Sequence, residues 1–316
     1  MKNKKTLVML LVILFLAAFL RLYRISDYMT FLGDEGRDAL VAKGILEGHF
    51  TLLGPRSSAG DFFYGPIYYY MITPFLWLFR LDPVGPAIMV GLLGVATVFL
   101  IYRVGKRFFD EKAGLFAAAL YAVSPLVLSY SHSSWNPDVL PFFALLLIYT
   151  LFKGIAQARP WKYFLFAGFL LGISIQLHYL ALFLIVVAVT YIFFAEWRLF
   201  ERIVIFQTIK QYLLLFLGFL IGISPFLAFE IRHGFSNTRA IFGFIFSANP
   251  HQAYASHGNF FTTAGSVFFR IFGRLLFDFP PPQNYHLYPL LTLQLWGLTV
   301  ILFAAVSLVS LWFLKN

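Results

Sequence analysis

The sequence predicts an all-α fold, a polytopic membrane protein of about eight transmembrane helices, and three observations carry that prediction. Of the 316 residues 60% are hydrophobic and only 12% charged, more apolar surface than one globular core hides from water. Apolar runs close to the roughly 20 residues that cross about 30 Å of hydrocarbon alternate with short charged segments. The short alternating segments of a membrane β-barrel are missing. The chain reads as a single membrane domain, 1–316.

The first span covers 6–23. Lys2, Lys4 and Lys5 before an apolar run imitate a secretory signal, but no small-x-small cleavage site precedes a polar segment and Arg21 follows directly, so an uncleaved helix is expected. A first outer loop, 24–84, is too long for a plain connection. In it Gly33-Asp34-Glu35-Gly36-Arg37-Asp38 is followed by Ala39, Leu40, Ala42, Ile45 and Leu46 at helical spacing, which predicts a short interfacial helix. Asp34, Arg37 and Asp38 then share one face, and Glu35 is turned about 100° away. Ser57, Ser58, Ala59 and Gly60 form a flexible stretch. Pro66 to Phe79 is apolar, short and interrupted by Pro74; it is expected to lie along the membrane surface with Tyr68, Tyr69, Tyr70 and Trp77 at headgroup level.

Spans follow at 85–103, 113–131, 139–156, 161–177, 179–196 and 211–229, then a second long outer loop, 230–290, and a last span, 291–313. Within the second loop Phe260 to Phe279 repeats the interfacial pattern, with Arg270 and Arg274 one helical turn apart and Pro280, Pro281 and Pro282 ending it. Eight crossings put both termini on one side. A cytoplasmic N-terminus places Lys2, Lys4, Lys5, Arg103, Lys106, Arg107, Lys112, Lys153, Arg159, Lys162, Arg198, Arg202, Lys210 and Lys315 inside, against Asp110, Glu111, Glu196 and Glu201. The whole surplus of +10 then lies on the cytoplasmic face, as the positive-inside rule asks, and no nucleic-acid partner is needed to explain it.

Cys is absent, which excludes disulfides, thiolate metal sites and cysteine nucleophiles. There is no Walker loop, no His pair at i, i+4 and no Gly-x-Ser-x-Gly elbow. The middles of the spans carry no charge, which argues against an ion pump or proton-coupled transporter. Chemistry is therefore sought on the outer face. A carboxylate such as Asp34, near a low-dielectric boundary and beside Arg37, suits a general base; as plain structure, Asp34 would cap the helix and Arg37 pair with Asp38. Asp138, in the turn His132-Ser133-Ser134-Trp135-Asn136-Pro137-Asp138, could help bind a polar substrate or an ion, yet Asn-Pro-Asp is also an ordinary helix start. His178, in Gln176-Leu177-His178-Tyr179, could donate to a phosphate or serve local structure. Arg56, Arg270 and Arg274 are further outer cations that could equally snorkel to lipid headgroups.

This order of features, one span, an outer loop beginning Asp34-Glu35, then Tyr64-Gly65-Pro66-Ile67-Tyr68-Tyr69-Tyr70, resembles the polyprenyl-phosphate-dependent glycosyltransferases of the GT-C class. It is most similar to their protein O-mannosyltransferase and lipid A aminoarabinose transferase group. Leu100 to Leu128 (LIYRVGKRFFDEKAGLFAAALYAVSPLVL) looks like the family's cytoplasmic turn and following span, and the resemblance covers roughly Arg21 to Phe194. Family members usually have more spans. The resemblance implies a donor sugar on a polyprenyl phosphate whose tail lies among the membrane lipids, and transfer with inversion to the hydroxyl of a lipid, glycan or protein acceptor. It places the active face outside the cell membrane. Asp34 matches the expected base, with Glu35 beside it. Arg37, Arg56 and His178 are candidates to stabilise the leaving phosphate, Asp138 takes a supporting role, and Tyr64, Tyr69 and Trp135 offer flat surfaces for sugar. No cofactor is assigned; outer carboxylates could hold a divalent cation, but their spacing shows no metal site.

Asp34, Asp138 and His178 are then expected to line one outward cavity. Two other functions share the same features. A lipid-linked sugar transporter or flippase would leave Asp34 dispensable. A non-catalytic lipid-binding membrane subunit would tolerate loss of both Asp34 and Glu35.

Overall fold

A computed structural model describes residues 2–58, 60–157, 160–200, 205–246, 263–265, 267, 273 and 282–313. The predicted interfacial stretch Phe260 to Phe279, including Arg270 and Arg274, lies almost wholly outside them. So do Ala59, Arg159, Glu201, Arg202, Pro280, Pro281 and Lys315.

The chain is an all-α polytopic membrane protein. In order it forms α1 (Lys2–Leu22), α2 (Ile25–Tyr28), α3 (Gly33–Leu46), α4 (Ile67–Leu78), α5 (Val84–Phe108), α6 (Glu111–Val123), α7 (Pro125–Ser131) and α8 (Leu140–Ala156). There follow α9 (Trp161–Leu177), α10 (Phe183–Phe200), α11 (Ile205–Gly222), α12 (Ser224–Arg232), α13 (Ser236–Phe246) and α14 (Leu290–Phe313). Among the described residues no strand forms beyond the isolated bridge between Arg56 and Phe63.

Among the described residues six segments are long and apolar enough to cross a membrane: Lys4–Leu22, Val84–Phe108, Asn136–Ala156, Tyr179–Trp197, Ile205–Gly222 and Leu290–Ser307. The pair α6 and α7 reaches that length and apolarity only together and is bent by 59°, the geometry of a broken span or a re-entrant loop, and α9 is apolar but only 17 residues long. The apolar segments fall where eight spans are expected, but six meet the length and apolarity of a span on their own; the span expected at 113–131 is broken at Ser124, and the one expected at 211–229 ends at Gly222, with 224–232 the separate helix α12. Pro225, in the first turn of α12, supplies no main-chain donor and so marks the break.

Lipid tails are as apolar as leucine, so helices here are held by close packing and by polar contacts rather than by hiding from water. The closest pair is α9 and α11. A Cβ on Gly168 would stand 1.9 Å from the Leu215 carbonyl oxygen, and one on Gly218 the same distance from that of Leu165. The absence of a side chain at these two positions lets the backbones touch. Around that contact α8 to α11 build one core from Leu147, Leu151, Phe164, Leu170, Ile192 and Leu215. A second core joins α3, α4 and α5 to the C-terminal end of α9 through Ala42, Tyr68, Ile72, Met89 and Leu177. A third, with Ala17, Val98, Leu115 and Ala118, joins α1, α5 and α6.

The second core corrects one expectation. Helix α4 does not present Tyr68 and Tyr69 to lipid headgroups: both are buried, together with Ile72 and Leu76. A tyrosine can leave the interface when its hydroxyl finds a partner, and Tyr68 Oη lies 2.8 Å from Ser134 Oγ. Tyr70 donates to the Thr51 carbonyl at 2.7 Å. Trp77 stays exposed.

Candidate functional site

Helix α3 starts at Gly33, after Leu32 in extended backbone with no side-chain cap. Asp34 therefore does not cap this helix. Glu35 takes that part instead, its Oε2 accepting the Leu32 N–H at 3.0 Å. Its other oxygen accepts from Thr30 Oγ1 at 3.3 Å and from Ser133 Oγ at 2.9 Å. Glu35 is 7% exposed, so a buried carboxylate has its desolvation offset by three donors.

Ser133 belongs to the turn after α7, and that turn fastens several elements. The Thr30 N–H donates to the His132 carbonyl at 3.0 Å, Ser134 meets Tyr68 of α4, and Asn136 Nδ2 donates to the Leu177 carbonyl at the end of α9. Between this turn and the start of α3 opens a cleft of about 490 Å³. Its walls are Thr30 to Glu35 without Phe31 on one side, and Ser129, Tyr130, Ser133 and Trp135 on the other.

Asp34 stands on the rim, 55% exposed, with Oδ1 2.8 Å from Arg37 Nη1. Among the described contacts its Oδ2 has no protein partner. The same guanidinium donates through Nε and Nη2 to Asp38 Oδ1, at 3.0 and 2.7 Å. Asp34, Arg37 and Asp38 thus share a face as expected, with Arg37 bridging two carboxylates. Asp38 is buried and its Oδ2 has no partner. Burial pushes its carboxyl up to about 6, against the pull of Arg37. Tyr69, buried next to it, is pushed up to about 12, first by burial and then by the Asp38 charge.

On the other side of α3 lies a groove of about 360 Å³ lined by Phe31, Ala39, Leu40, Leu76, Leu81 and Pro83, with Gly36 and Lys43 completing it. Apart from Lys43 it is apolar.

The remaining predicted residues divide. Trp135 lines the cleft, 37% exposed, and can offer its face. Asp138 sits one turn below, half-buried beside Ser133 and within electrostatic reach of Glu35, but it does not line the cleft. Its Oδ2 is buried without a partner. Tyr64 is buried in a stack on His178, ring centroids 5.2 Å apart, and on Tyr179 at 5.0 Å. It presents no free face to a sugar. His178 Nδ1 accepts the Leu180 N–H at 3.2 Å, capping the turn into α10, and burial lowers its basicity. Arg56 pairs with Asp61 at 3.0 Å on an exposed loop. The expected single cavity of Asp34, Asp138 and His178 is therefore not formed. Asp34 lines the cleft, Asp138 lies behind its wall, and His178 belongs to a second cluster.

That second cluster was not foreseen. Asn237 of α13 accepts the Phe63 N–H on Oδ1 at 2.6 Å and donates from Nδ2 to the Phe63 carbonyl at 3.0 Å and to Tyr179 Oη at 3.2 Å. Glu230 of α12 accepts the N–H groups of Asn237 and Thr238. The segment after α11 is thereby clamped onto the loop before α4. Ser133, Thr30 and Tyr130 were missed as well: Ser133 lay inside a polar cluster already noted, whereas nothing near Thr30 or Tyr130 marks them. Among the described residues no three His, Asp or Glu side chains converge as metal ligands.

Comparison with known proteins adds two findings. Residues 64–229, just over half the chain, match the profile of the family described as dolichyl-phosphate-mannose-protein mannosyltransferase. The matched stretch begins after Asp34 and Glu35. A Bacillus subtilis (strain 168) protein named "Putative mannosyltransferase YycA" is 27% identical over 258 residues, covering 77% of this chain. The chain spans about a third of that relative's length, 35%.

Proposed function

The chain belongs to the dolichyl-phosphate-mannose-protein mannosyltransferase family, and from that premise we propose that it is a membrane glycosyltransferase that moves a sugar from a polyprenyl phosphate to an acceptor hydroxyl on the extracytoplasmic face, with inversion. The observation that carries the reading is the contrast between the two adjacent carboxylates of α3. Glu35 has both oxygens engaged and is fixed in the wall. Asp34, on the rim of the same cleft, keeps Oδ2 open.

In this reading Asp34 Oδ2 accepts the proton of the acceptor hydroxyl as its oxygen attacks the anomeric carbon. The bond from that carbon to the phosphate oxygen breaks on the opposite face, and the electron pair leaves with the polyprenyl phosphate. Arg37, 37% exposed, is the cation nearest the rim and stabilises the charge that develops on the phosphate. Trp135 stacks against the sugar. The apolar groove beyond α3 takes the first isoprene units, with Lys43 toward the headgroup. Glu35 acts by holding the cleft in shape, and Asp138 supports that wall from behind. The location of the whole +10 surplus supports the orientation.

The test is transfer by the purified protein in lipid nanodiscs, supplied with a polyprenyl-phosphate-linked labelled mannose and a mixture of lipid and peptide acceptors. The expected result is release of free polyprenyl phosphate with a product of inverted anomeric configuration. A retained configuration would contradict the mechanism. Movement of intact donor across the bilayer without its consumption would favour a flippase.

A further inference from the structure

Arg21, in the last turn of α1, is fully buried. A guanidinium carries five donors and keeps its charge, so a buried one must find acceptors. No carboxylate pairs with it among the described residues. Instead Nη1 donates to the carbonyls of Ala122 at 2.9 Å and Ala17 at 3.2 Å, and Nη2 to that of Tyr121 at 3.3 Å.

Two of those acceptors, the Tyr121 and Ala122 carbonyls, sit at the break between α6 and α7; the third, that of Ala17, lies one turn back on α1 itself. In a continuous helix the Tyr121 carbonyl would accept from the main chain of residue 125, but Pro125 has no N–H. The Ala122 carbonyl is among the last of α6, which the helix itself leaves unsatisfied. Helix α5 makes room for the guanidinium with a glycine: a Cβ on Gly94 would stand 2.8 Å from Arg21 Nε. The other end of α7 is tied to the same turn of α1, since His132, which follows α7, holds the Leu20 carbonyl through Nε2 at 3.1 Å. Helix α7 carries Ser129 and Tyr130 of the cleft and leads into Ser133, the donor to Glu35.

We propose that Arg21 is a positioning residue whose guanidinium replaces the hydrogen bonds lost at the α6–α7 break and so fixes the angle at which α7 forms one wall of the cleft. Its consequence for catalysis rests on the glycosyltransferase reading; the fixing of α7 does not.

Because the chain has no cysteine, spin labels can be placed without background. With labels at Ser129→Cys on α7 and Leu92→Cys on α5, dipolar spectroscopy in nanodiscs compares Arg21 with Arg21→Met and Arg21→Lys. The expected result is a shifted or broadened distance distribution in Arg21→Met, with Arg21→Lys nearer to the parent because an ammonium still donates to the carbonyls. An unchanged distribution in Arg21→Met overturns the proposal. If Arg21→Met does not fold, Pro125→Ala is added to it, restoring a main-chain donor for Tyr121. Recovery of folded protein then supports the proposal, and failure to recover, when Pro125→Ala alone folds, overturns it. Without the reporter cysteines, kcat per folded molecule is expected to fall on the order of 100-fold in Arg21→Met, with KM for a polyprenyl-phosphate sugar changed far less and partial recovery in Arg21→Lys. Should the parent protein transfer no sugar, the functional reading falls while the distances still decide the role of Arg21.

Discussion

At the scale of single residues, the site turns on how neighbouring groups of one chemical type are given different surroundings. The sequence shows Asp34, Glu35, Arg37 and Asp38 as one polar cluster, and helical spacing separates Glu35 from the rest. It does not show that Ser133 and Thr30, from a distant turn and a loop, consume the oxygens of Glu35. Nor does it show that Asp38 is buried. For Asp38 the sign of the pH effect follows from its carboxyl being raised to about 6 from an ordinary 3.8. The folded protein holds that proton more tightly than the unfolded chain, so this contribution to stability is full below about pH 4 and is lost as pH rises through 6. The loss approaches roughly 3 kcal/mol. Thermal melts between pH 4 and 7 are expected to show a falling contribution that disappears in Asp38→Asn. A second contrast concerns aromatic faces. Trp135→Ala is expected to raise the donor KM with little change in melting temperature, whereas Tyr64→Ala, which empties a buried stack, is expected to destabilise by about 3 kcal/mol or more. If Tyr64→Ala melts like the parent while weakening donor binding, the two roles are reversed.

At the scale of elements, apolar run length was enough to locate the long apolar helices among the described residues, because length against bilayer thickness is a strong constraint. Misjudged features depended on partners. The short length, Pro74 and aromatics of Pro66 to Phe79 place its tyrosines at headgroup level, yet Ser134 satisfies Tyr68, and Tyr68 and Tyr69 are buried in the core. The span expected at 211–229 ignored Pro225. The contact of α9 with α11 was legible only in hindsight, in glycines four residues apart at Gly168 and Gly172 and at Gly218 and Gly222. Even a methyl group at Gly218 would meet the Leu165 carbonyl at 1.9 Å, so Gly218→Ala is expected to cost about 1–3 kcal/mol. Gly297→Ala, on α14 where no neighbour among the described residues lies within 4 Å, serves as the control and is expected to be neutral or slightly stabilising. Equal melting temperatures for the two variants would remove the close packing from the account.

At the scale of the whole molecule, the proposed orientation rests on the charge surplus, and it is that orientation which would put the cleft on the extracytoplasmic face. Labelling by a membrane-impermeant maleimide on intact cells is expected at Ser58→Cys and absent at Gln157→Cys until the membrane is opened; the reverse pattern would turn the protein over. Everything then rests on Asp34 as the group that takes the acceptor proton. The most direct measurement is single-turnover transfer from a polyprenyl-phosphate-linked sugar by the parent protein and by Asp34→Asn, each shown to fold by its melting temperature. The account predicts a loss of about 10²- to 10⁴-fold in Asp34→Asn with donor binding retained, and transfer by Asp34→Asn at the parent rate would contradict it.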